Sequence, residues 1–107
     1  MDFENKYNIE FTDECKNEMR KIYEYIKNEL YSETSAKKLI NKVEEFISNL
    51  EYAPRIYAEL EKFKGTNNIY RRIVINNYII LYTIDEENKI IYIAHMYYSG
   101  NDYTNKI

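Results

Sequence analysis

The residues of this sequence that could do chemistry lie close together near its end. The stretch YRRIVINNYIILYTIDEENKIIYIAHMYY, from Tyr70 to Tyr98, holds two adjacent arginines, Arg71 and Arg72, and the only histidine, His95. Arginine supplies positive charge, and histidine or tyrosine can carry protons to and from reacting oxygens. These polar groups either decorate the surface of a sheet or face a partner.

Strand geometry limits which of these groups can act together. Neighbouring residues of a strand point to opposite faces, so at most one of Arg71 and Arg72 can join a given site. By the same rule, one of Tyr97 and Tyr98 packs against the protein while the other reaches a partner. The pattern predicts that His95 shares one face with Ile91, Ile93 and Tyr97.

The composition sets the class of protein. A chain of 107 residues suits one domain over residues 1–107. Its net charge of −3 is not the basic excess of a typical nucleic-acid-binding protein. One cysteine and one histidine are too few for a disulfide or a metal site, so neither metal nor other cofactor is expected. No leader peptide or long apolar run is visible, so we expect a cytoplasmic location and no contact with membrane.

The first half of the sequence predicts a strand and two helices. Residues Tyr7–Phe11 alternate between apolar and polar, as in a half-buried strand. Apolar residues then recur at helical spacing from Cys15 to Leu30, which predicts a helix over residues 13–30 with Thr12 or Asp13 as its cap. A wider apolar stripe from Ala36 to Leu50 predicts a second, more buried helix. Acids outside the stripes, including Glu18, are expected on solvated faces.

The second half predicts three strands joined by short turns. They cover residues Ile69–Ile75, Tyr78–Ile84 and Lys89–Tyr98 and are rich in isoleucine and tyrosine. A single helical turn around Ala58–Lys62 is expected before them. The order is therefore β-α-α-β-β-β, an α+β fold with a helix hairpin packed on a small antiparallel sheet.

This pattern resembles the RelE/ParE superfamily of bacterial toxins from type II toxin–antitoxin systems, closest to its ParE-like, plasmid stabilisation branch. The resemblance is carried by YNIEFTDECKNEMRKIYEYI, AKKLINKVEEFISNL, the stretch from Tyr70 to Tyr98, and the tail NDY, nearly the whole chain. Its most specific block runs from Tyr70 to Asn88. There the residue types common in ParE-like sequences stand at Arg72, Asn77, Tyr78, Tyr82 and Asp85.

The sequence departs from the family pattern at basic positions. ParE-like sequences often carry arginine where this chain has Thr83 and His95, and again where it has Gly100 and Asn101. RelE-type ribonucleases use an arginine at the position of Ile79. Because phosphate contacts supply most of the affinity for nucleic acid, these departures disfavour RNA cleavage.

The resemblance implies a toxin that inhibits growth by binding a cellular target, with DNA gyrase favoured. The alternatives are a ribosome-dependent mRNA endoribonuclease of the RelE type and a degenerate, toxin-like binding module without activity. Each implies a cognate antitoxin that folds onto the chain, in a toxin–antitoxin hetero-oligomer or beside a toxin homodimer. Exposed tyrosines and apolar sheet residues such as Tyr78, Ile80 and Tyr82 would suit antitoxin binding.

The resemblance and the residue types together define the candidate site residues. Arg72 is favoured over Arg71 because it matches the family position. Candidates for catalysis are His95, Arg72, Tyr98 and Tyr103. Candidates for binding the target or the antitoxin are Arg71, Tyr78, Tyr82, Tyr97 and Asp102.

Overall fold

The structure has the predicted order of one strand, two helices and three strands. The computed structural model describes residues 6–60 and 69–100. The predicted α+β class is therefore confirmed, and the helix and strand ends differ from the predicted ones by no more than three residues. The elements are β1 (Asn8–Phe11), α1 (Asp13–Asn28), α2 (Glu33–Ser48), a 3-10 turn (Asn49–Glu51), β2 (Arg71–Ile75), β3 (Tyr78–Asp85) and β4 (Ile90–Tyr98).

The four strands form one sheet in the order β1-β4-β3-β2. Strands β2, β3 and β4 form the expected antiparallel meander, but β1 pairs parallel with β4, so the sheet is mixed rather than antiparallel throughout. The alternation in Tyr7–Phe11 predicts which side chains of the strand are buried. It does not predict which strand pairs with β1 or in which direction. The two helices carry the chain from β1 at one edge of the sheet to β2 at the other.

Both helices begin at side-chain caps. The Thr12 hydroxyl accepts a hydrogen bond from the Cys15 amide at 3.1 Å, and the Ser32 hydroxyl accepts one from the Ser35 amide at 3.3 Å. Each cap satisfies an amide that the first turn leaves unpaired. Helix α1 ends at Asn28, so Leu30, predicted at the end of its buried stripe, lies in the inter-helix turn and is 55% exposed.

The main core lies between the helices and one face of the sheet. Val43 of α2 and Ile73, Ile80 and Tyr82 of the sheet are fully buried there. The Tyr82 hydroxyl donates to the Pro54 carbonyl oxygen at 2.7 Å. The expectation that Ile80 and Tyr82 present exposed surface to a partner is therefore wrong, because both side chains point under the helices.

A second, smaller apolar cluster covers the opposite face of the sheet, which we call the outer face. It consists of Tyr70, Ile79, Leu81, Ala94 and Tyr97, with Leu60 packed against it. The segment before β2 reaches this cluster in extended form: the Leu60 amide donates to the Tyr70 carbonyl and the Arg72 amide to the Ala58 carbonyl. The helical turn predicted around Ala58–Lys62 is thus wrong for Ala58–Leu60, and its last two residues lie outside the described part.

A β-bulge in β4 decides the direction of the functional side chains. Leu81 pairs with His95 and Tyr82 pairs with Ile93, so Ala94 is an extra residue without a partner in β3. Ile91 and Ile93 consequently face the helices, whereas His95 and Tyr97 face outward. The predicted common face of His95 with both isoleucines is wrong for this reason. Among the helices of the described residues, none has the length and apolar character needed to span a membrane.

Candidate functional site

Arg72 and His95 lie in one row across the outer face. Arg72 pairs with Leu81 in β3, and Leu81 pairs with His95 in β4. Residues directly opposite each other on paired strands share a face, and strands are about 4.8 Å apart, so the two backbones are separated by roughly 10 Å. Arg72 is exposed, and Arg71 is the only other arginine or lysine in the four strands.

Arg71 has a structural position on the other face of β2. Its guanidinium donates to the Tyr57 carbonyl oxygen at 2.8 Å and pairs with the Glu59 carboxylate at 3.3 Å. The side chain is only 15% exposed. Arg71 therefore ties the segment before β2 to the sheet. The prediction that Arg71 and Arg72 point to opposite faces of the sheet agrees with the structure.

His95 belongs to a small polar network with an acid from α1. Its Nδ1 atom lies 3.2 Å from each oxygen of the Glu18 carboxylate and 2.9 Å from the Tyr97 hydroxyl. The rings of His95 and Tyr97 are stacked with centroids 5.1 Å apart, and the Tyr70 ring lies 6.4 Å from His95. One face of the imidazole is therefore covered by a phenol and one ring nitrogen faces a carboxylate.

The network keeps the Tyr97 phenol in its protonated form. Burial raises the pKa of Tyr97 above its usual range, and the charge of Glu18 together with a hydrogen bond to that carboxylate raises it further. A neutral phenol and an imidazole N–H are both donors, and the carboxylate accepts from both. The chemical capacity of this arrangement is to orient an imidazole, since a carboxylate on one ring nitrogen selects the tautomer and the ring position.

Glu18 also completes the edge of β4. Strand β1 ends at Phe11, opposite Ile93, so the rest of β4 has no strand neighbour on that side among the described residues. The Thr12 hydroxyl donates to the Ala94 carbonyl at 2.9 Å, and the Glu18 carboxylate accepts from the Met96 amide at 3.2 Å. Two side chains thereby take the place of a longer β1.

Sequence reasoning assigned Glu18 to a solvated face and missed this role. A signal was present, because Glu18 lies three residues after Cys15 and four before Ile22, both on the apolar stripe of α1. At these spacings residues are neighbours on a helix surface. An acid beside a buried stripe needs a hydrogen-bonding partner, and His95 supplies it across the sheet edge.

Tyr98 and Tyr78 lie away from the His95 network, on the helix side of the sheet. Their rings pack edge to face with centroids 5.8 Å apart. They border a cleft of about 650 Å³ between α1, the inter-helix turn and the end of the sheet. We call this cleft the tyrosine groove; its principal lining residues are Lys21, Tyr25, Leu30, Asn77, Tyr78 and Tyr98.

The predicted site residues are thus divided among three places. Arg72, His95 and Tyr97 share the outer face, Tyr78 and Tyr98 border the tyrosine groove, and Arg71 and Tyr82 hold the fold together. Of the catalytic candidates, Arg72, His95 and Tyr98 do not converge, because Tyr98 points away from His95. The fourth, Tyr103, and the binding candidate Asp102 lie outside the described residues. Within residues 6–60 and 69–100, no group of three or more His, Cys, Asp or Glu residues could hold a metal ion.

Comparison with known proteins identifies a family model that covers most of the chain. The model is described as "ParE toxin of type II toxin-antitoxin system, parDE", and it matches residues 9–103. This range includes the Glu18–His95 network, Arg72 and the tyrosine groove. No curated protein sequence gives a significant match.

Several solved structures have the same fold. The chromosomal ParDE system from P. aeruginosa superposes with a TM-score of 0.69 at 14% identity, over 88% of this chain and 97% of that chain. The archaeal RelE–RelB complex from Pyrococcus horikoshii OT3 gives 0.61 at 18% identity, over 90% and 98%. A mutant of the E. coli toxin RelE in the free state gives 0.62 at 14% identity, over 94% and 92%. At these identities, the likeness establishes the fold.

Proposed function

Since the chain belongs to the ParE toxin family of type II toxin–antitoxin systems, we propose that it arrests growth by binding DNA gyrase and that a cognate antitoxin neutralises it. The proposal that the chain is a toxin with an antitoxin rests on the family, whose model matches residues 9–103. The choice of a protein target over RNA rests on the outer face of the sheet. On that face the strands carry one exposed cation, Arg72, beside the apolar side chains of Ile79, Leu81 and Val74.

The scarcity of cations is the observation that carries the proposal. Cleavage of RNA needs several positive groups around the scissile phosphate, because they bind the backbone and stabilise the charge of the transition state. Arg71 is held on the other face by Tyr57 and Glu59. His95 has a carboxylate rather than a cation as its neighbour. On the described strands of this face, Arg72 and Val74 are exposed, whereas Ile79, Leu81 and Tyr97 are buried. A single arginine beside an apolar side chain is better suited to a protein partner, because arginine is enriched among interface hot spots.

A second candidate function is an mRNA endoribonuclease of the RelE type. The observation that favours it is the Glu18–His95 pair at 3.2 Å. A carboxylate that orients an imidazole is the arrangement by which many enzymes position a general acid or base. Arg72, in the same row, would then be the group that stabilises phosphate charge.

One induction experiment separates these functions. The chain is expressed in bacteria, and growth, supercoiling of a reporter plasmid and integrity of total mRNA are followed in the same culture. Growth arrest with loss of negative supercoiling and intact mRNA is the expected result. Purified protein should also inhibit the supercoiling reaction of purified gyrase, which tests binding without the complications of a cell.

Two variants sharpen the experiment. Arg72→Ala removes the exposed cation of the outer face and should weaken gyrase inhibition by about tenfold, the usual loss for a truncated interface anchor. Arg20→Ala removes an exposed arginine from α1 and should leave inhibition unchanged. Fragmented mRNA with normal supercoiling would overturn the gyrase proposal in favour of the ribonuclease. Normal growth with abundant folded protein would indicate a toxin fold retained for binding alone.

A further inference from the structure

The His95 ring has one nitrogen that faces the protein and one that does not. Nδ1 contacts the Glu18 carboxylate and the Tyr97 hydroxyl. Within the described residues, Nε2 makes no hydrogen bond, and no buried polar side-chain atom there lacks a partner. Nε2 is therefore reached by solvent, although only 17% of the side chain is exposed. A polar ring atom of this kind is available to a bound partner.

The neighbours of Nδ1 determine where the neutral ring carries its proton. An ionised carboxylate is an acceptor only, and both oxygens of Glu18 lie 3.2 Å from Nδ1. An unprotonated Nδ1 would direct its lone pair at these oxygens, so the proton lies on Nδ1. The Tyr97 phenol donates to the same carboxylate. The neutral ring thus has an N–H at Nδ1 and a lone pair at Nε2.

Arg72 adds a cation to the row that contains His95. It pairs with Leu81, which pairs with His95, and its side chain is exposed. A guanidinium has donors only, whereas the lone pair of Nε2 is an acceptor. The row therefore offers one acceptor and one charged donor roughly 10 Å apart. Two points of opposite hydrogen-bonding character select a partner more strictly than a single charge does.

We propose that Glu18 is a positioning residue for target recognition: it holds the His95 ring so that Nε2 accepts a hydrogen bond from the bound target, while Arg72 donates to an acceptor of that target. The naming of DNA gyrase as this target rests on the proposed function. The chemistry required of the target, a donor at one point of the row and an acceptor at the other, rests on the row alone.

The charge of the ring controls this acceptor. A second proton at Nε2 converts it into a donor, and the bond from the target is lost. The titratable groups that face the ring are the Glu18 carboxylate of α1, the Tyr97 phenol of β4 and the Tyr70 phenol of the segment before β2. Arg72 is the cation of the same row. Target binding through Nε2 is therefore complete where the ring is neutral and declines as the pH falls through the titration of the ring.

The position of the proton is measured directly, because His95 is the only histidine of the chain. Two-bond proton–nitrogen correlation spectra of ¹⁵N-labelled protein without a histidine tag contain the signals of this ring alone. Nε2 is the nitrogen that correlates with both ring C–H protons. In the wild type at the alkaline end of the titration it should have the shift of an unprotonated nitrogen, and Nδ1 that of an N–H.

Glu18→Gln tests whether the carboxylate fixes this tautomer. The amide oxygen can still accept from the Met96 amide, which leaves the NH₂ group directed at Nδ1. Nδ1 then becomes the acceptor, and the spectra should show the proton on Nε2. Glu14→Gln, the same change at an exposed position of α1, is the control and should keep the wild-type pattern.

Recognition is measured as inhibition of the supercoiling reaction of purified gyrase. Glu18→Gln should weaken inhibition about three- to tenfold, as expected for loss of one hydrogen bond. His95→Asn should do the same, because its short amide can replace Nδ1–H beside Glu18 but has no atom at the place of Nε2. His95→Gln reaches that place with an oxygen and should recover part of the loss. Glu14→Gln should stay within about threefold of the wild type.

The pH profile separates recognition from a structural role. At each pH, the inhibition constant of His95→Asn is divided by that of the wild type, which cancels the pH dependence of gyrase itself. This ratio should be largest where the spectra show a neutral ring and should approach one below the titration. Circular dichroism checks that every variant is folded at each pH. A ratio that rises as the pH falls would assign binding to the protonated ring and overturn the inference.

The spectra and the assay each have a contradicting result. The inference is also overturned if the wild-type ring carries its proton on Nε2, if Glu18→Gln leaves the tautomer unchanged, or if Glu18→Gln and His95→Asn inhibit as well as the wild type. If the wild type does not inhibit gyrase, the proposed function fails instead. Growth arrest by the same variants then decides whether Nε2 contacts a different target, and the spectra still decide the role of Glu18.

Discussion

The Nδ1 atom of His95 lies 3.2 Å from both carboxylate oxygens of Glu18, a residue 77 positions earlier in the chain. This contact joins the first helix to the last strand at the point where β1 has ended. The same carboxylate accepts the Met96 amide. One side chain thus orients the only histidine and completes the hydrogen bonding of a strand edge.

Replacement of Glu18 by alanine should lower the free energy of unfolding by about 1–3 kcal/mol, because it leaves the Met96 amide and the polar atoms around His95 without their acceptor. Urea denaturation at neutral pH measures the change. Glu44→Ala, at an exposed position of α2, is the control and should stay within about 0.5 kcal/mol of the wild type. Equal stability of the two variants would show that water replaces the carboxylate at no cost.

The two adjacent arginines should respond differently to truncation. Arg71→Ala removes the contacts with the Tyr57 carbonyl and Glu59, so it should reduce the free energy of unfolding by about 1–3 kcal/mol. Arg72→Ala changes an exposed side chain and should alter the stability by less than about 0.5 kcal/mol. Urea denaturation of both variants, together with the gyrase assay, tests whether Arg71 contributes to stability and Arg72 to target binding. Loss of stability in Arg72→Ala would make its effect on gyrase uninformative.

Tyr82 predicts a change of stability at alkaline pH. Burial raises the pKa of Tyr82 to about 12, against the lowering effect of the nearby Arg71 charge. Its usual pKa is about 10 in an unfolded chain, so its contribution to stability is complete below pH 10 and is lost as the pH rises towards 12. The Tyr82→Phe variant lacks the bond to the Pro54 carbonyl and should be about 1 kcal/mol less stable at pH 7.

The measurement for Tyr82 is urea denaturation of wild type and Tyr82→Phe at pH 7 and at pH 11. The difference in unfolding free energy between them should shrink at the higher pH, because the wild-type phenol ionises more readily in the unfolded chain. Tyr52→Phe, at a side chain that is 49% exposed, should match the wild type at both values. A constant difference across this range would contradict the burial of an un-ionised Tyr82.

Cys15 should be inert towards thiol reagents in the native protein. The side chain is fully buried, and burial, with a smaller contribution from the Glu18 charge, raises its pKa to about 12. Because the thiolate is the reactive form, modification requires opening of the structure. A chromogenic disulfide reagent should react with the native chain only at the rate of opening, and at once in denaturant. Fast native reaction would place the thiol at the surface.

Most of the fold could be predicted from the sequence because its signals are local. Alternation and helical spacing predict the strands and helices to within three residues, and of the two expected caps, Thr12 and Asp13, the structure has Thr12. The family pattern around Tyr70–Asn88 agreed with the meander. The neighbour of β1 could not be read in this way, because parallel pairing with β4 joins residues about 80 positions apart.

The arrangement of the site depends on two features that the neighbouring sequence does not predict. The extra residue Ala94 turns His95 away from the face of Ile91 and Ile93, and nothing in the sequence IAHMYY marks a bulge. The partner of His95 comes from a helix that looked amphipathic and solvated at Glu18. Tyr82 matched the family pattern, and the structure buries its side chain in the core.

The side chains that finish the edge of β4 also bear on the solubility of the protein. Strands rich in isoleucine and tyrosine with open backbone groups can template cross-β growth between copies. Here Thr12 and Glu18 occupy donors and acceptors on one flank of the meander, and Ala58–Leu60 cover the other flank. A second molecule that tried to pair with the part of β4 beyond β1 would first have to displace a charged carboxylate. The side chain that orients His95 thus also blocks strand addition at this part of β4.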